Sequence, residues 1–493
     1  MREKNRDDNA PQALTRRDFV RRASAGTGAM AVSGVIATTT AEAATAASQR
    51  KPRTKGVDYD VIVLGGGFAG ITAARDSSKN GYKTLVLEAR DRLGGRTFTS
   101  QFAGHKVELG GTWIHWTQPF VWAEVQRYGL EVVETPTGEV DPQVATVVAL
   151  VDGRREVLDK PEQLGPVFKA FGQFFEKAGE IWERPYDAAF SWKEIVANDS
   201  LSGRQALEKM DLSPVQRVAL EAYVAGLTHS PPRDTAFVEA SRWWALPGGS
   251  MSALHDSCGR YTFKDGTVSL INKMVLDGKP EIRLASPVKS VEDRGSHVIV
   301  TTARGERLTA AAVIVGLPMN VLPSVQFSPA LDPMVAEAGR EKHAGGGIKL
   351  LIKVKGHLSK GKVNAVAPAT HPLPLILTYA LGEDHTVLVM FGPNPKAIDY
   401  GDKAQVQKAL RDFFPEAVVE EVHHNPWTED PYAQGTWCNY KPGWFARYYE
   451  HFQKDRGRVY FGQGDHGEGW RGFIDGAIGA GGRAADRVKT RLG

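Results

Sequence analysis

Six residues, Gly65-Gly66-Gly67-Phe68-Ala69-Gly70, have the types and spacing that bind a pyrophosphate. Gly65 permits a tight turn, and Gly67 lets the backbone approach phosphate oxygens. Gly70 lets the following helix pack close to the preceding strand. The positive end of that helix then faces the phosphates, with Phe68 and Ala69 in the turn before it. A G-x-G-x-x-G run alone is weak evidence; its setting makes it strong. The residues before it, Asp58 to Leu64, are a short apolar run that reads as a buried parallel strand. Ile71 to Asn80 reads as a helix and Lys83 to Glu88 as a second buried strand. Glu88 stands where a carboxylate bonds ribose hydroxyls. The whole is one βαβ unit, the start of an α/β domain that binds a dinucleotide.

The next residues indicate which dinucleotide. Arg90-Asp91-Arg92-Leu93-Gly94-Gly95-Arg96-Thr97 is a second glycine- and arginine-rich turn, directly after the first unit. Its backbone and the guanidiniums of Arg90 and Arg96 add charge-assisted bonds to a further stretch of pyrophosphate or ribityl chain. A nicotinamide dinucleotide does not need this, and FAD is the expected cofactor.

From about residue 57 onward the chain resembles the flavin-containing amine oxidases of the monoamine oxidase type. The motif E-A-R-D-R-x-G-G-R-T appears as Glu88 to Thr97, and the flavin-lining block as Leu109-Gly110-Gly111-Thr112-Trp113. Val288 matches the position whose backbone meets the adenine. Asp465 and Gly469 to Ala477, with Ile474 among them, match the closing flavin motif, although the usual F-A-G-E is changed to Phe461-Gly462-Gln463-Gly464-Asp465. The resemblance implies a Rossmann-like FAD-binding domain assembled from discontinuous segments, with a mixed sheet-and-helix (α+β) substrate domain. It also implies a C-terminal helix whose N-terminus points at the flavin. Gly476, Gly479, Gly481 and Gly482 in that helix each cost roughly 1 kcal/mol against alanine, so close approach to a cofactor or strand is expected there.

The same resemblance implies a reaction centre. Trp437 and Phe473 match two aromatic residues that flank the substrate amine. Lys349, in an apolar strand, matches a lysine that holds a water beside the flavin. Thr436 occupies the position where some members carry a flavin-linked cysteine, so the FAD is expected to be non-covalent. The expected reaction takes hydride from the α-carbon of a neutral, hydrophobic amine, followed by imine hydrolysis. Within the family, Gly95 to Ser100 and Trp113-Ile114-His115-Trp116 look like bacterial nicotine-pathway amine oxidoreductases, which makes pseudooxynicotine or nicotine the expected substrate. An L-amino-acid oxidase is the rival reading; it needs an arginine clamp for a carboxylate, for which Arg242 is a candidate. A non-catalytic FAD-binding module is a second rival.

The elements that position these residues need more than one core, since the chain has 493 residues. The expected division is an FAD-binding domain in three parts, residues 57–130, 235–330 and 426–493. A substrate domain takes 131–234, read as mostly helical with Phe168, Phe171 and Phe175 as core, and 331–425. Residues 1–43 read as a twin-arginine signal, with Arg16-Arg17 ahead of a mild apolar run and Ala41-Glu42-Ala43 as a cleavage site; 44–56 read as a linker. The expected location is the periplasm, by way of the twin-arginine export machinery, or the cytoplasm if the signal is not used. The electron acceptor is then either O2 or a periplasmic cytochrome, and a homodimer is left open. Net charge is +4 and argues for no nucleic-acid partner. Two cysteines, Cys258 and Cys438, exclude a disulfide framework, and the 13 histidines show no metal-ligand spacing.

Overall fold

The computed structural model describes residues 52–138, 146–358 and 362–493. The twin-arginine segment and residues 44–51 of the linker lie outside the described residues.

Tyr59–Leu64 is buried at every position, as expected of a Val/Ile-rich strand covered on both faces. It runs parallel to Thr84–Leu87 on one side and to Arg307–Val315 on the other. The sheet continues outward in the order Arg307–Val315, Val298–Thr302, Val288–Asp293 and Gln326–Ser328; beyond Thr84–Leu87 lies Glu281–Arg283. Val459–Phe461 joins in parallel against Arg307–Val315. One sheet thus gathers strands from the beginning, middle and end of the chain.

A second sheet has the order Val419–His424, Ile348–Lys355, His385–Gly392, Leu375–Leu381, Val363–Val366, Thr146–Val151, Arg154–Leu158. Its last two strands lie within 131–234, outside the helices that make up most of the regular structure described there. Thr146–Val151 pairs in parallel with the distant Val363–Val366. It also forms a hairpin with Arg154–Leu158 through Asp152 and Gly153, both at positive φ, as a two-residue Asp-Gly turn requires. Helices follow from Pro161 onward. Phe171 and Phe175 are core residues and Phe168 packs partly buried against them.

Helix Phe68–Lys79 packs along the C-terminal helix Ile474–Leu492. The glycines there meet distinct protein neighbours. A Cβ on Gly481 would lie 2.1 Å from the carbonyl oxygen of Ala69; on Gly476, 2.4 Å from that of Trp470; on Gly479, 2.8 Å from the Phe120 ring. Gly482 has nothing nearer than Asp76 at 3.7 Å, so close approach does not explain it. Gly481→Ala should therefore destabilise by about 1–2 kcal/mol, overpacking outweighing the gain in helix propensity. Gly482→Ala should stabilise by about 0.5–1 kcal/mol. Thermal unfolding of the two variants checks both signs.

Candidate active site

A continuous cavity runs from the glycine turn at Gly65 to the start of the C-terminal helix at Phe473 and Ile474. At one end the two glycine-rich turns are bonded to each other: Gly94 N–H donates to Gly66 C=O at 2.9 Å. A Cβ on Gly95 would lie 3.1 Å from Gly67 Cα, so only a glycine lets the turns approach this closely. Gly70 is equally constrained, since a Cβ there would meet the carbonyl oxygen of Gly65 at 1.9 Å. Gly67 is the N-cap of Phe68–Lys79, and no side chain caps that helix; its first amides are left for an anion.

Glu88 lines the cavity. Its Oε2 accepts from Gly66 N–H at 2.6 Å and its Oε1 from Arg90 N–H at 2.8 Å. These charge-assisted bonds hold the carboxylate where a ribose would lie. Arg90 is held by Asp430 at 2.7 Å, and Arg96 by Asp465 at 2.5 Å. Arg96 also donates to the carbonyl of Thr436 at 2.7 Å. The donor set fits a dinucleotide with two glycine turns, an uncapped helix start, a fixed carboxylate and two fixed guanidiniums.

Gly65, Gly67, Phe68, Glu88, Arg90, Gly95, Arg96, Gly111, Thr112, Trp113, Lys349, Trp437, Phe473 and Ile474 all line this cavity. Ala69, Gly70, Val288 and Asp465 do not. Ala69 and Gly70 lie one step inside the helix and shape the turn. Val288 is half-buried at the start of its strand. Asp465 is fully buried with both oxygens engaged, one by Arg96 and one by Met319 N–H at 2.8 Å. Burial alone would raise it, but Arg96 holds its carboxyl below the usual range. Its part is to fix Arg96. Ligand atoms of His343, Cys438 and Asp465 lie within 4.8 Å of one another. Asp465 is committed as described, and His343 Nδ1 accepts from Gly345 N–H at 3.1 Å. Cys258 and Cys438 are free thiols, and burial pushes both upward.

Lys349 is 3% exposed, on the strand Ile348–Lys355. It therefore does not take the solvent-facing place usual for a lysine on a strand. Its Nζ donates to the carbonyls of Glu108 at 2.8 Å and Gly110 at 3.0 Å and to Thr112 Oγ1. Trp113 lies 5.0 Å away, ring centroid to Nζ. Burial lowers the ammonium to about 7, against the pull of Glu108. Burial raises the Glu108 carboxyl, while bonds from Thr99 and Thr267 oppose it.

The wall beyond Lys349 is aromatic. Helix Pro214–Thr228 starts at a Ser213/Gln216 capping box and ends at His229, whose φ is +51°. That left-handed residue is strained for a non-glycine. It lays its ring on Trp437, with centroids 3.9 Å apart and planes 17° apart. His229 Nδ1 pairs with Thr436 Oγ1 at 3.0 Å, and Trp437 Nε1 donates to the carbonyl of Leu227 at 2.8 Å. Burial lowers His229 to about 3, so it is neutral in the working pH range. Phe473 lies 4.5 Å from Trp243, which is 6.4 Å from Trp437. Sequence reasoning named Trp437 and Phe473 but missed Trp243, His229, Glu108 and Asp430. For Trp243 the signal was the Trp243-Trp244 pair; for Glu108, its place directly before Leu109-Gly110-Gly111. Arg242 does not serve as a carboxylate clamp. It is buried outside the cavity wall and paired with Glu239 at 3.0 Å.

The lysine carries a stability consequence. Folded, Lys349 loses its proton near pH 7; in an unfolded chain it keeps it to about 10.5. Between those values the unfolded chain binds more protons, so folding gains as pH rises. The melting temperature of the wild type relative to Lys349→Met should therefore climb from pH 7 to 9 and be flat below 7, as read by calorimetry.

Comparison with known proteins agrees with this geometry. The family model described as flavin containing amine oxidoreductase matches residues 68–489. A pseudooxynicotine dehydrogenase of a Pseudomonas species is 39% identical over 99% of this chain and 98% of its own. A nicotine dehydrogenase of Pseudomonas putida is 35% identical over 97% and 98%. Among solved structures, wild-type putrescine oxidase bound to putrescine superposes with a TM-score of 0.71 at 21% identity, covering 88% of this chain and 99% of that one; the likeness shows the fold. The chain therefore belongs to the flavin-containing amine oxidoreductase family and is an FAD-dependent oxidoreductase with the amine oxidase fold.

Proposed function

We propose that the enzyme oxidises a hydrophobic amine bearing a pyridine ring, with pseudooxynicotine, a secondary amine, or nicotine, a tertiary one, as substrate. The observation that carries this reading is the buried Lys349 facing an aromatic wall in the same cavity as the dinucleotide turns. The names of the two bacterial relatives supply the pyridine. Bound FAD supplies the acceptor for the hydride that leaves the amine's α-carbon; the other tasks fall to the chain.

Trp437, Trp243, Phe473 and Phe391 exclude water and orient the amine. The carboxylate on the cavity wall, Glu88, is committed to two backbone N–H groups. No lining carboxylate is left to hold an ammonium among the described residues, which favours an amine bound neutral. Lys349, with Thr112, holds a proton or a water where the amine reacts. Loss of hydride and a proton from the secondary amine leaves an imine, and loss of hydride alone from the tertiary amine leaves an iminium; water hydrolyses either one to a carbonyl group and an amine. The arginines on the wall, Arg90 and Arg96, are paired with acids. With Arg242 paired as well, nothing here favours an amino-acid substrate over an amine.

The FAD is held without a covalent link, because Thr436 occupies the linking position and its hydroxyl is bonded to His229. Export by the twin-arginine route to the periplasm, with a cytochrome or O2 as electron acceptor, completes the proposal. The leader sequence supports the export step, and a reporter fused to residues 1–50 and found in the cytoplasm would refute it.

Two measurements test the chemistry. Mixed anaerobically, pseudooxynicotine or nicotine should bleach the flavin, and a panel of L-amino acids should leave it oxidised; the reverse result would restore the amino-acid oxidase. Acid precipitation of the holoenzyme should release all of the flavin into the supernatant, and yellow colour retained in the pellet would show a covalent link.

A further inference from the structure

Glu239 has no accessible surface and lies outside the cavity wall. It sits on helix Phe237–Ala245, which also carries Trp243. Its two carboxylate oxygens are divided between two guanidiniums. Oε2 accepts from Arg242 at 3.0 Å, and Oε1 accepts from Arg471. Both arginines are buried, and Arg471 lies over the Tyr440 ring at 3.8 Å. Without the carboxylate, two like charges would share a dry site.

Arg242 reaches further. It donates to the carbonyl of Gly469 and, at 3.4 Å, to that of Arg471. Those carbonyls belong to the segment 469–473, which has no regular structure and carries Phe473 at its end. Gly469 and Gly472 there have φ of +59° and +85°. No ladder or helix sets the course of such a segment; its own turn bonds (Arg471 N–H to Gly469 C=O, Phe473 N–H to Trp470 C=O and Gly472 N–H to Gly464 C=O) and the Arg242 bonds to its carbonyls do. Phe473 is then seated 4.5 Å from Trp243, one residue beyond Arg242.

Resting on the amine-oxidation reading above, we infer that Glu239 is a positioning residue: it clamps Arg242 and Arg471, and through them holds Phe473 against Trp243 to complete the aromatic wall. The clamp joins helix Phe237–Ala245 to the segment 469–473, so one carboxylate sets the spacing of two wall residues. A misplacement of the wall by about 1 Å is enough to lower a rate substantially.

The test uses the FAD-loaded enzyme and two variants. Glu239→Gln keeps the volume and removes the charge. The double variant Glu239→Gln/Arg242→Met keeps the net charge of the buried group while still freeing the carbonyls of 469 and 471. It carries the test if the single variant does not accumulate. Each is checked for flavin content, for the rate of trypsin cleavage after Arg471, and for anaerobic flavin reduction by pseudooxynicotine. With one flavin per chain, cleavage after Arg471 should quicken and the limiting rate of reduction should fall, each by about tenfold or more. A limiting rate within about twofold of wild type in either folded variant, even with a lower melting temperature, would make Glu239 a purely structural residue and overturn the inference. If no amine reduces the wild-type flavin, the functional reading fails instead, and unchanged cleavage at Arg471 would then overturn the clamp independently.

Discussion

A buried amine must be given acceptors, and much of this structure follows from how Lys349 gets them. Its ammonium comes from the second sheet, on Ile348–Lys355. Its acceptors come from the segment 108–112, which leaves the hairpin Thr99–Phe102/His105–Glu108. An unpartnered charge at this depth would cost several kcal/mol. The second sheet and the glycine-bearing segment 108–112 are therefore held together at the point where they meet the aromatic wall. Glu108 contributes twice, its carbonyl bonding Lys349 directly and its carboxylate bonding Thr99 and Thr267 on either side.

The aromatic wall is held by a different device. Trp437 is fixed on one face by the neutral imidazole of His229 and at its edge by the carbonyl of Leu227. Placing His229 costs a left-handed backbone at a helix end, a cost of order 1 kcal/mol. The same helix end places its carbonyl oxygen to accept from Gly346 N–H, two residues before the strand that carries Lys349. Strain at one residue thus serves both the tryptophan and the lysine strand.

The parts of the site that could be read from the sequence are those governed by local rules. Glycine turns declare themselves because few residues tolerate their backbone, and Tyr59–Leu64 declares itself by unbroken apolarity. The Asp152-Gly153 hairpin was equally local and was overlooked under the helical reading of its neighbours. Lys349, Trp437 and Phe473 stood out through family resemblance; composition and period would have left each as an ordinary strand or core residue. Trp243, His229 and Glu108 were beyond reach because their roles arise from packing between distant segments. Asp465 shows the same limit from the other side. Its motif identified an acid near the cofactor, but only the three-dimensional pairing reveals that it acts through Arg96.

The contact between Ala69 and Gly481 has a consequence for how the protein is made. The pyrophosphate turn leaves the ribosome well before the helix it packs against. Until Ile474–Leu492 emerges, helix Phe68–Lys79 lacks a face of its packing, and the end of the cavity at Phe473 and Ile474 does not exist. Cofactor capture therefore waits for that helix, and a polypeptide interrupted before Phe473 would carry an intact glycine fingerprint with no complete site to use it.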